Sequence, residues 1–146
     1  DKTGEDFARP MVGRSLATAD IDGDGDLDLL FTASGGTPRL LRNDQALGHH
    51  WLRIRLVDEG ANHEAIGGVV QLERDGLTHT RRVNPTRGYQ SQSELPVTFG
   101  LGDSATTGRV TVTWPDGTVT EHEGLEPDQL HILRREPLDV ERELGE

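Results

Sequence analysis

ADIDGDGDLDLLF spans Ala19–Phe31 and sets a ladder of acids against an apolar run. Aspartates stand at every second position, Asp20, Asp22, Asp24, Asp26 and Asp28, with Gly23 and Gly25 among them. Crowded carboxylates repel one another at neutral pH, so a folded chain that gathers them needs a counter-charge. Calcium supplies one, because it takes roughly 6–8 oxygen ligands, many of them carboxylates and carbonyls. The spacing D-x-D-x-D-G-x-x-D suits a loop curled around such an ion. Asp20, Asp22 and Asp24 are the first three ligands, Gly25 allows the bend, and the Asp26 carbonyl is the fourth. Asp28 closes the site from the next strand, while the Asp26 carboxylate faces water. The competing reading is a solvated acidic turn, which leaves the repulsion uncompensated.

An EF-hand opens the same way but needs a bidentate glutamate at its twelfth position and a helix on each side. Counted from Asp20, that position is Phe31. The segment Leu27–Ser34 is short, apolar and followed by Gly35-Gly36, which fits a buried strand. The loop therefore joins two strands, with Ser15–Ala19 before it. Magnesium is disfavoured, since it keeps its waters and demands tighter geometry. Residues 19–29 resemble the calcium loop of FG-GAP/VCBS repeats, the blades of integrin-type β-propellers, over about residues 15–43. That resemblance implies a structural ion between two strands of a blade. One copy cannot close a propeller, so residues 1–48 read as a β-hairpin remnant of a blade, with upstream propeller blades as its neighbours. Its exposed edges are expected to pack on the rest of the chain or on another chain.

From His50 the pattern changes. Leu52, Ile54 and Leu56 alternate with Arg53 and Arg55, the signature of a half-buried strand with one polar face. Further strands are expected at Ile66–Leu72, Leu77–Val83, Pro96–Leu101, Arg109–Trp114, Thr118–Glu121 and Gln129–Leu133. Arg74-Asp75-Gly76 marks a hairpin turn, and Trp114-Pro115-Asp116-Gly117 a tight turn set by proline and glycine. Short, evenly spaced strands without helical periodicity predict an all-β fold, an antiparallel β-sandwich or barrel over residues 49–135. Residues 136–146 form a charged tail expected to fray.

Four motifs in this region, residues 62–67 (NHEAIG), 87–93 (RGYQSQS), 99–102 (FGLG) and 112–117 (VTWPDG), resemble in their order the ASPIC/UnbV domain. Gly68 departs from the alanine expected there. The resemblance implies a calcium-stabilised extracellular scaffold that follows propeller repeats, and it carries no catalytic residue.

Composition bounds the function. The chain has 146 residues and a net charge of −11, which disfavours nucleic acid as a partner. No apolar run is long enough to span a membrane. With no cysteine, disulfides, thiolate zinc sites and cysteine nucleophiles are excluded. The start at Asp1 reads as an excised or mature piece. His49 and His50 are adjacent and point to opposite faces of a strand; the other four histidines are scattered, without zinc spacing. No G-x-S-x-G elbow occurs. The chain thus reads as a non-enzymatic calcium-binding module for adhesion or protein interaction in an exported protein, extracellular or periplasmic. The alternative is a carbohydrate-binding or accessory domain of an exported enzyme. Its discriminating residues are Arg87, Tyr89 and Gln90, where an exposed aromatic among polar side chains could meet a protein or glycan partner. The simpler expectation there is a self-packed loop, with Tyr89 covering the end of the sandwich. Trp114 is expected in the core, and Trp51 on the polar face or at the junction with the blade remnant.

Overall fold

A computed structural model describes residues 4–44 and 47–135; the charged tail expected to fray lies outside them. Among the described residues, a short helix, α1 (Glu5–Ala8), which the sequence did not announce, precedes ten strands. The first three, β1 (Gly13–Ala19), β2 (Asp28–Ala33) and β3 (Arg39–Leu41), form an antiparallel sheet in that order. The blade remnant is thus a hairpin with a third strand beside it, one short of a four-stranded blade. Leu29, Leu30 and Phe31 of β2 pair with Leu41, Leu40 and Arg39. Arg39 donates to the carbonyls of Asp6, Arg9 and Pro10, which ties α1 and the residues after it to the sheet. Phe7 packs edge-on against Phe31, with ring centroids 6.4 Å apart.

The remaining strands are β4 (His50–Val57), β5 (Val69–Arg74), β6 (Leu77–Arg82), β7 (Val97–Gly102), β8 (Arg109–Thr113), β9 (Val119–His122) and β10 (Leu130–Arg134). They build two facing sheets, in the orders β10-β4-β7 and β6-β5-β8-β9. Alternation puts Leu52, Ile54 and Leu56 of β4 inside, against Val70 and Leu72 of β5, Val97 and Phe99 of β7, and Val110 and Val112 of β8. Each such fully buried side chain contributes about 1.5–3 kcal/mol relative to exposure. Trp114 closes the core at 2% exposure, and its indole N–H donates to Thr120 Oγ1 at 3.1 Å.

The turns follow their residues. Asp75 and Gly76 both take positive φ (51° and 74°), which gives the two-residue hairpin its hand. Gly117 takes φ 91° after its N–H has closed the turn onto the Trp114 carbonyl at 2.9 Å. Two expectations are corrected. The strand expected from Ile66 begins at Val69, because the Asn62 side chain bonds both the N–H and the C=O of Ile66 and holds residues 62–68 in a turn. The sandwich is not wholly antiparallel: β10 runs parallel to β4. No hairpin links β10 to β4, so nothing forces opposite directions.

Candidate metal centre

The acidic loop runs from the end of β1 to the start of β2 and is ordered by its own backbone amides. Asp20 Oδ1 accepts from Gly23 N at 2.7 Å, and Oδ2 from Gly25 N at 3.1 Å. Asp28, 1% exposed, accepts from Ile21 N at 2.9 Å and from Asn43 N at 2.8 Å. Asp24 Oδ1 caps the N–H of Asp26 at 2.9 Å. Gly23 and Gly25 sit at φ 80° and 91°, a region that disfavours side chains. As a result, carboxylate oxygens of Asp20, Asp22 and Asp28 lie within 4.8 Å of one another. Asp24 joins a second, exposed group with Asp22 and Asp44, within the same limit. Arg42 holds Asp44 at 2.6 Å and reaches Asp22 at 3.6 Å. The Asp26 carboxyl is held above the ordinary aspartate range, first by burial and then by the charges of Asp24, Asp20, Asp28 and Asp22. It is in neither group.

The sandwich shares in this loop, as the expectations for Trp51 and for the blade edges imply, but the part played by Arg53 is not legible in the sequence. On β4, the face opposite the core carries Trp51, Arg53 and Arg55. Arg53 lies on the expected polar face of the strand, yet its side chain is only 7% exposed, because the blade loop covers it. Its two terminal nitrogens pair with Asp20 Oδ2 and with Glu94 Oε2. The Asp20 side chain is fully buried by this contact. Glu94 Oε2 also accepts the Asp20 N–H at 3.2 Å. The Glu94 N–H donates to the Thr18 carbonyl at 3.0 Å, and the Thr18 N–H to Ser93 Oγ at 3.2 Å. The edge of β1 is thus extended by the loop 84–94, and the blade sheet packs on the sandwich, as its exposed edges required. Trp51 lies against Gly25: a Cβ there would fall under 3.0 Å from three atoms of the indole.

Loop 84–94 is partly self-bonded, through Asn84 to Thr86 N and to Arg87 Nε, and from Ser93 N to the Pro85 carbonyl. Tyr89 does not cover the end of the sandwich. It is 65% exposed, and with Arg87, Leu16 and Phe31 it lines an open groove of about 500 Å³ between the loop and the blade sheet. Gln90, at φ 49°, makes the loop's tip. Among the described residues, no histidine joins either carboxylate group. His50 Nδ1 lies 2.6 Å from Asp128, whose carboxyl this contact holds below its usual range, and His49 lies 3.3 Å from Asp103.

The sequence profile of the ASPIC and UnbV family matches residues 58–138, more than half of the chain. The chain belongs to the ASPIC and UnbV family. The profile of the FG-GAP repeat matches residues 12–48, the span of β1–β3 and the acidic loop. Cartilage acidic protein 1 of Xenopus tropicalis is 34% identical over 112 residues, 73% of this chain. The proteins of that name from Mus musculus and Homo sapiens are 34% identical over 110 residues each, 72% of the chain. The chain spans only 16–17% of the length of these relatives. Neither family description nor any relative's name denotes an enzyme. Among the described residues, no helix is long and apolar enough to cross a membrane.

Proposed function

We propose that this chain is a calcium-binding β module without catalytic function, serving adhesion or protein interaction in an exported protein. The observation that carries this reading is the convergence of the Asp20, Asp22 and Asp28 carboxylates on a loop braced by its own amides. The donor set fits calcium. It is all oxygen and anionic; Asp22 keeps Oδ1 clear of its ion pair with Arg42, and among the described residues Asp20 Oδ1 and Asp28 Oδ2 each accept one N–H. When bound, the ion would offset part of the ladder's charge and hold β1 to β2, stabilising the fold because the unfolded chain binds it poorly. The name of the relatives, cartilage acidic protein 1, favours an extracellular setting over a periplasmic one.

The blade sheet bears apolar residues on both faces, exposed Leu30 and Leu40 on one and Leu16 on the other. That supports upstream propeller blades as its neighbours. A carbohydrate-binding role is favoured by one observation, the exposed Tyr89 beside its groove. The deciding experiment is thermal unfolding with calcium, with magnesium and with EDTA, beside the double variant Asp22→Ala, Asp24→Ala. A calcium-specific rise in melting temperature that the variant lacks supports the reading. Identical curves in all three conditions overturn it.

A further inference from the structure

We propose that the acidic loop and its seam with the sandwich form one thermodynamic unit, in which Arg53 and Glu94 position Asp20 for the cation and the bound cation closes the seam. This deepens the calcium reading and rests on it.

Asp20 is held at both ends by residues of the sandwich side. Glu94 Oε2 takes its backbone N–H, and Arg53 takes its Oδ2. The remaining oxygen, Oδ1, is thereby turned toward the loop amide of Gly23 and the other carboxylates. Asp28, by contrast, is fixed wholly from the blade side, by the amides of Ile21 and Asn43. Docking thus adds a second hold on Asp20 to the one its own loop amides of Gly23 and Gly25 supply. Trp51, two residues before Arg53 and on the same strand face, presses on Gly25 at the loop's bend. The rung from Glu94 N to the Thr18 carbonyl then carries the docking into β1.

The seam is also poised. Arg53 Nε, Glu94 Oε1 and Thr98 Oγ1 are buried without a hydrogen-bond partner among the described residues, and Thr98 stands directly across from Arg53 in the strand register. A buried ionic network with unsatisfied members gives little net stability by itself. An added cation therefore has room to shift the docking equilibrium. Linkage makes the effect reciprocal: whatever docking adds to cation affinity, the cation adds to docking.

Arg53 has a rival role with the opposite sign. If it acted only as a positive charge beside the site, it would repel the cation. Arg53→Lys separates the two, because lysine keeps the charge but lacks the planar fork that spans two carboxylates. The experiment measures calcium binding by calorimetry, and amide exchange by NMR with calcium and with EDTA, on the full chain. The variants are Arg53→Lys and Glu94→Gln. The Glu94 amide is the key probe, since it reports the seam and lies outside the loop; the Val70 and Val112 amides report the sandwich core. For the original sequence, calcium is expected to slow Glu94 exchange about tenfold, within the range of typical couplings, with the core amides unmoved. Both variants are expected to bind calcium about tenfold more weakly while their core amides stay protected. Calcium binding that leaves Glu94 exchange unchanged overturns the coupling and spares the calcium reading. So does equal or tighter binding by Arg53→Lys. Absence of any binding heat in the original sequence overturns both.

Discussion

Gly25→Ala tests the seam at its closest approach. Two costs add there. Gly25 sits at φ 91°, and an L side chain in the left-handed region costs about 1–2 kcal/mol. The new Cβ would also overlap the Trp51 indole, and overpacking of this kind costs about 1–3 kcal/mol. Gly23→Ala is the matched control: its φ is 80°, but nothing lies within 4 Å of a Cβ there, so only the first cost applies. For a chain of this size each kcal/mol lowers the melting temperature by roughly 3 °C. Gly23→Ala is therefore expected to lose about 3–6 °C, and Gly25→Ala about 6–15 °C. The assay is thermal unfolding in EDTA, followed by tryptophan emission. Only Gly25→Ala is expected to red-shift the folded-state spectrum, because Trp51 is displaced while Trp114 stays in the core. Equal losses in the two variants, with superimposable emission, would refute the packing of the loop on β4.

Trp114→Ala removes the largest fully buried side chain and is expected to cost about 3–5 kcal/mol in urea unfolding, with the Asp22 and Asp24 loop untouched. Asp26→Asn tests the division of labour in the ladder. The folded state raises this carboxyl's pKa, so its charge costs stability at neutral pH, and the cost disappears as pH falls through the raised value. In EDTA the variant should melt higher than the original sequence at pH 7 but not at pH 3. If Asp26 serves through its carbonyl, calorimetry should show that calcium binding survives in the variant. His122 has its pKa lowered by burial, so the unfolded chain takes up the proton first. Stability should fall as pH drops below the ordinary histidine value of about 6.5, and His122→Gln should flatten that fall in melts taken between pH 7 and pH 5.

Much of the fold lay in local signals. Asp75-Gly76 dictated a two-residue hairpin, Pro115 and Gly117 a tight turn, and the alternation in β4 the face turned to the core. These are short-range facts of dihedral angle and periodicity, and a single sequence carries them. The start of β5 was misplaced because Ile66 looks like a strand residue, and only the bonds from Asn62 make it a turn. The direction of β10 was illegible for a related reason. Strands joined by tight turns must reverse, but β10 reaches β4 across a connection whose path no local pattern encodes.

The ladder itself was legible because its ligand chemistry is written at fixed spacing in one loop. Its setting was legible only in part, through Trp51 at the junction with the blade remnant. Trp51, Arg53 and Arg55 alternate with core residues, and a polar residue on the outer face of a sheet reads as solvated unless something covers it. Arg53 is covered by a loop more than twenty residues upstream and by Glu94, forty-one residues downstream. Neither contact leaves a mark on the sequence near β4. Arg55 has the same pattern and a different fate: it pairs with Glu64 at 2.9 and 3.0 Å and stays 40% exposed. Two arginines at alternate positions of one strand thus do different work. One braces the surface of the sandwich, and the other joins the sandwich to the loop that gathers the acids.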